Sequence, residues 1–122
     1  MAHLTDADLE NVSNSLVSLS VVDLSGCTKI SSVGIKALTR HPVKALDLGS
    51  TSISYRGCGA IANYLCSSLT ELSLNCTDVN DECLRKVVSK CKKLARVSIF
   101  GCKYVRDVSF LYHLNPLMIL ES

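Results

Sequence analysis

The sequence predicts an α/β fold, a right-handed solenoid with a short parallel sheet on its concave face and helices on its convex face. Three observations predict it. An apolar-x-x-apolar-x-apolar pattern recurs in LSVVDLSGC from Leu19, VKALDLGST from Val43, LTELSLNCT from Leu69 and LARVSIFGC from Leu94. These starts fall about 25 residues apart, the spacing of stacked repeats. Between them, apolar residues recur three or four positions apart, as on one face of a helix. The period gives about four full repeats with partial repeats at either end, in a single domain over 1–122.

Each element follows in order. Leu4-Thr5-Asp6 leading to Leu9 and Val12 reads as the helical half of a unit, over 6–14. Strands are expected near 21–24, 45–48, 71–74 and 96–99, because alternation puts side chains on opposite faces of a strand. Helices are expected near 32–40, 55–65 and 81–90 from Gly34, Ile35 and Leu38, from Gly57, Cys58 and Ile61, and from Cys83, Leu84 and Val87. A last helix is expected near 107–114, where His113 takes the place of the usual Leu and Leu114 substitutes for it. Leu117-Met118-Ile119-Leu120 reads as the start of a fifth strand, with Leu117 and Leu120 facing the core and Ile119 facing out. Leu24, Leu48, Leu74 and Ile99 should stack as one buried ladder, since no unit can bury its apolar face alone.

Cys91-Lys92-Lys93-Leu94 through Ile99 to Cys102 carries C-x-x-L-x-x-L-x-L-x-x-C in spacing, Cys66-Ser67-Ser68-Leu69 its opening, and Cys27 its closing position. The chain thereby resembles the cysteine-containing leucine-rich repeats of F-box/leucine-rich-repeat proteins and their F-box-lacking relatives. The resemblance implies a leucine-rich-repeat solenoid and, in one version, substrate recognition for a ubiquitin ligase. With only a few residues before the first full repeat, no F-box is expected within this chain.

The 48% hydrophobic content with 20% charge excludes a disordered chain. No apolar stretch approaches the length of a membrane span, roughly 18 residues. The N-terminus lacks a basic n-region and an apolar h-region, so no export signal is read there. Seven cysteines without an export signal point to reduced thiols in an intracellular compartment: cytoplasm, nucleus or organelle matrix. No C-x-x-C pair is present, and the cysteines follow the repeat, so the expectation is core packing and no metal. Gly57-Cys58-Gly59-Ala60-Ile61-Ala62 imitates a dinucleotide fingerprint. It does not follow directly on a strand, so no cofactor is expected. His3, His41 and His113 all lie off the strand face, and no nucleophile–base–orienter set is apparent. The chain is therefore not read as an enzyme.

Side chains pointing away from the helices line the surface that repeat proteins use for binding. The partner-binding candidates there are Asp23, Asp47, Glu71, Ser73, Arg96, Ser98 and Phe100. Asp23 and Asp47 occupy equivalent positions on adjacent strands, where like charges repel. Either both are solvated, or a cation compensates them, from a basic partner or from Arg96. Phe100 beside Arg96 has the composition of an interface anchor, with packing against the C-terminal segment as the alternative. A basic patch comprises Arg85, Lys86, Lys90, Lys92, Lys93, Lys103 and Arg106, near which Arg96 also falls. It can contact RNA, an anionic surface or an acidic protein, or simply complement a helix dipole opened by Asp81 and Glu82.

The function expected is a non-catalytic protein–protein interaction module holding a partner protein on the concave face. The alternative is a structural subunit or assembly factor of a large complex, such as a ribonucleoprotein, docking through its ends and basic edge. A protein partner is favoured over nucleic acid, and the chain is expected to work within a larger assembly.

Overall fold

The computed structural model describes residues 4–15 and 18–122. Helices and strands alternate: α1 (Asp6–Ser13), β1 (Val21–Asp23), α2 (Ser32–Ala37), β2 (Ala45–Asp47), α3 (Tyr55–Tyr64), β3 (Glu71–Ser73), α4 (Asp81–Lys90), β4 (Arg96–Ser98), α5 (Ser109–Leu114) and β5 (Ile119–Glu121). All five strands are parallel, and their order across the sheet is their order in the chain. Helices pack in the same sequence, α1 on α2, α2 on α3, α3 on α4 and α4 on α5. The expected leucine-rich-repeat solenoid is what forms.

The strands are short because each ends in a turn that still bonds to the next repeat. The Leu24, Leu48, Leu74 and Ile99 N–H groups donate to Asp47, Ser73, Ser98 and Glu121 carbonyls at 2.7–2.9 Å, just past each strand. These four residues are buried together, as the pattern requires. Two positions further on, Gly26, Ser50, Cys76 and Gly101 all have positive φ, between 55° and 76°. That left-handed step is one only glycine takes without strain. It turns the chain out of the sheet, and the N–H groups of Gly26, Ser50 and Cys76 donate to carbonyls of the following repeat.

The helix starts are set by polar caps. Thr5 and Asp8 form a reciprocal capping box on α1, and the side chains of Ser31 and Asn80 accept from the first turns of α2 and α4. Aspartates at two of these starts also reach one repeat onward. Asp6 accepts from the N–H groups of Ser31 and Gly34, and Asp81 from those of Arg106 and Asp107.

Four expectations are corrected. The helix expected over 32–40 relaxes after Ala37 into a 3₁₀ turn, Leu38–Arg40, because Pro42 restricts the backbone of His41 before it. In α1 the buried side chain after Leu9 is Ser13, and Val12 is exposed. In α5, Leu111 fills the core rather than Leu114. That helix starts at Ser109, because the Asp107 carboxylate accepts the Ser109 N–H and hydroxyl and holds the chain in a turn. Leu117 is 90% exposed, and Met118 occupies the core instead. The Met118 N–H bonds Asn115 O as the Leu94 N–H bonds Cys91 O. Register pairs Arg96 with Ile119, so this turn reaches its strand one residue sooner. With β5 in place, Val97 and Ile99 of the preceding repeat are buried.

Candidate functional site

Strand register builds the concave surface as two rows. Val21, Ala45, Glu71, Arg96 and Ile119 stand side by side in the first, and Asp23, Asp47, Ser73, Ser98 and Glu121 in the second. The alternating residues Leu46, Leu72 and Val97 point to the helices and are buried. Between the rows runs a groove of about 410 Å³ lined by all the candidate side chains except Phe100. Phe100 lies past the end of β4, at the rim of the sheet, half exposed.

Asp23 and Asp47 are directly opposite each other. Neither carboxylate is neutralised by Arg96. Instead each turns to its own strand exit. Asp23 Oδ1 accepts the Ser25 hydroxyl at 2.7 Å and the Ser25 N–H at 2.9 Å, and Asp47 Oδ1 accepts the Gly49 N–H at 2.8 Å. The Ser25 hydroxyl and then its N–H hold Asp23 below the usual carboxylate range, because both donate to the charged form. Both carboxylates are thus oriented by their own strand exits. Arg96 pairs with Glu121 of β5 at 3.4 Å, with both side chains open to solvent.

Glu121 is the groove residue the sequence reading missed. It lies two positions past Ile119, on the outward side of the same alternation, one residue beyond the segment read as strand. With Asp23, Asp47, Glu71 and Glu121 facing one Arg, the groove carries an excess of negative charge. Ser98 is less available than expected: its hydroxyl donates to Asn75 Oδ1, which also accepts the Phe100 N–H.

The basic run divides over several places. Arg85 and Lys86 are neighbours on α4 yet face opposite ways. The Lys86 ammonium sits 4.5 Å from the Tyr55 ring of α3, while the Arg85 guanidinium sits 4.2 Å from the Phe110 ring of α5 and near Glu82. Lys90, Lys92 and Lys93 lie exposed around the end of α4. Lys103 and Arg106 border a hollow beside Ile99 and Val108 at the last repeat.

The other chemistry-bearing groups serve the fold. Buried His41 accepts the Leu19 N–H on Nδ1 and donates from Nε2 to Ser13 O, clipping α1 to the approach of β1. His113 is exposed on α5, and His3 lies outside the described residues. The glycine-rich imitation of a nucleotide motif sits inside α3, where a Cβ on Gly57 would fall 2.0 Å from Ile53. Gly57 is there for close packing. Among the described residues no cluster of His, Cys, Asp and Glu could hold a metal, and no helix is long and apolar enough to cross a membrane.

Two stretches, 15–38 and 65–87, match the family model described as Leucine Rich repeat. The first spans β1 and all of α2, the second β3 and most of α4. No curated protein matches the chain. The matched stretches contain β1 with α2 and β3 with α4, and the same strand–helix unit recurs between and after them: the chain is a leucine-rich-repeat solenoid of the architecture typical of protein-interaction modules.

Proposed function

We propose that the chain is a non-catalytic recognition module that holds a basic segment of a partner protein in the concave groove. The observation carrying this reading is the pair of oriented carboxylates, Asp23 and Asp47, facing the same groove as Glu71 and Glu121. Preset anions lower the ordering cost of binding a Lys- or Arg-bearing segment. Substrate recognition in a ubiquitin-ligase assembly is the form of this role that the repeat pattern's resemblance favours.

The test compares wild type with Asp23→Lys/Asp47→Lys in pull-downs from native extract, read by mass spectrometry. Asp23 is exposed and Asp47 half-buried, and both accept backbone N–H groups, so far-UV circular dichroism confirms that the double variant is folded. Partners that depend on the groove should disappear from the variant. An unchanged partner set would place the working surface elsewhere.

A second reading, a subunit or assembly factor of a larger complex, is favoured by the last repeat. Leu117 and Ile119 are exposed there, and β5 presents an unpaired strand edge among the described residues. Sedimentation at micromolar concentration checks it. Self-association or dye-binding apolar surface supports this reading, and a clean monomer without dye binding removes its main argument.

A further inference from the structure

The helical side of the solenoid carries a second surface, of opposite sign to the groove. On it Val33, Lys36, Tyr55, Arg56, Tyr64 and Lys86 line a hollow of about 350 Å³ across α2, α3 and α4. A larger hollow of about 710 Å³ adjoins it toward α1, and the two share Val33, Lys36 and Tyr64.

Three features separate this surface from an ordinary solvated helix face. First, its cations lack carboxylate partners. The described ion pairs are Arg85 with Glu82 and Arg96 with Glu121, and neither involves Lys36, Arg56 or Lys86. Two of these cations are held over rings instead, Lys36 at 5.5 Å from Tyr64 and Lys86 at 4.5 Å from Tyr55. A ring face orients an ammonium without neutralising it. Second, apolar side chains stand open beside them: Val33, Tyr55 and Tyr64 are 52%, 55% and 36% exposed. Third, Gly59 keeps the floor of the hollow low. A Cβ there would meet Lys86 Nζ at 3.2 Å, so the ammonium would have to shift by a few tenths of an ångström.

Oriented cations with exposed aromatics are the composition of an interface anchor. Charge complementarity selects the occupant. We infer that the convex face across α2–α4 binds an acidic polypeptide segment, whose carboxylates meet Lys36, Arg56 and Lys86 while apolar side chains rest on Val33, Tyr55 and Tyr64. A polypeptide fits better than a purely charged ligand because apolar and cationic groups alternate within the one hollow. This surface is separate from the concave groove, so the two readings can fail independently.

The probe is a short fluorescein-labelled peptide rich in Asp and Glu with leucine anchors, followed by anisotropy against the full chain. Saturable binding is expected. Lys36→Glu/Lys86→Glu and, separately, Tyr64→Ala should each weaken it at least about tenfold. Exposed Arg56→Glu provides a reversal that leaves the ring stacks alone, and far-UV circular dichroism confirms that each variant is folded. Lys29→Glu makes the same charge change on the exposed turn after β1 and should leave affinity within about twofold. Absence of saturable binding overturns the proposal. So does an equal loss in Lys29→Glu, or tighter binding of a single-stranded RNA oligomer or phosphatidylserine vesicles than of the peptide.

Discussion

The carboxylate of Asp81, at the start of α4, accepts the backbone N–H of Arg106 at 2.8 Å and that of Asp107 at 3.2 Å. One side chain thus ties two consecutive repeats, as Asp6 does for the first pair. Replacing Asp81 with Ala leaves these two exposed backbone donors to water. Urea denaturation should show a loss of about 0.5–1.5 kcal/mol, the net worth of a hydrogen bond that water can replace. Exposed Asp78, three residues earlier, should change stability by less than about 0.5 kcal/mol when replaced by Ala.

Leu48 is fully buried in the ladder formed with Leu24, Leu74 and Ile99. Leu48→Ala should cost about 2–5 kcal/mol in the same measurement. A loss well below 1 kcal/mol would contradict a continuous core through the repeats.

The left-handed turns give an ordered series. Nothing lies within 4 Å of a Cβ placed on Gly26, so Gly26→Ala isolates the backbone strain, about 1–2 kcal/mol. At Gly101 the added Cβ would also meet Cys76 Sγ at 2.9 Å, so Gly101→Ala should cost more. Exposed Ser50 already bears this strain at φ 55°, and Ser50→Gly should raise the melting temperature. Thermal denaturation of the three variants checks the order.

Asp23 should titrate by NMR below an ordinary aspartate, and Ser25→Ala should move it upward by removing the larger of its two donors. The sign for stability follows. A carboxylate depressed in the folded state contributes stability that is present above its unfolded value and lost as pH falls through its folded one. Acid unfolding of Ser25→Ala should therefore be less steep over that window.

Alkylation should distinguish the cysteines by position. Cys76 is exposed in its turn and should react first with iodoacetamide in the native protein. Cys91 is buried, and burial pushes its thiol up to about 12, so it should react only on unfolding. Peptide mapping after timed quenching reads the order.

Repeat periodicity carried the strands, the starts of the first four helices and the buried ladder, because each rests on residues recurring at fixed positions. It failed wherever one turn changed length. Met118 rather than Leu117 enters the core for that reason, and Glu121 was missed because the fifth strand runs one residue further than the apolar pattern. Contacts between repeats were also hidden. Lys36 with Tyr64 and Lys86 with Tyr55 come from different helices, and no local pattern links them. Asp23, Asp47, Glu71, Ser73, Arg96 and Ser98 lie on the strands as read, while Phe100 lies beyond β4, and where the Asp23 and Asp47 carboxylates turn depends on Ser25 and Gly49 N–H groups that a sequence pattern does not orient.

Strand order that follows chain order also determines how the molecule answers a mechanical load. Each strand bonds only to its sequence neighbours, and the bonds run along the direction in which the repeats are stacked. Tension applied at the two ends therefore reaches the outermost repeat first and opens its few ladder bonds one after another, as in a zipper. The remaining sheet stays unloaded until that repeat has left. Each release feeds a repeat of chain into the tether, roughly 80–90 Å when fully extended. The stack should pay out in steps at low force rather than hold and then rupture at once.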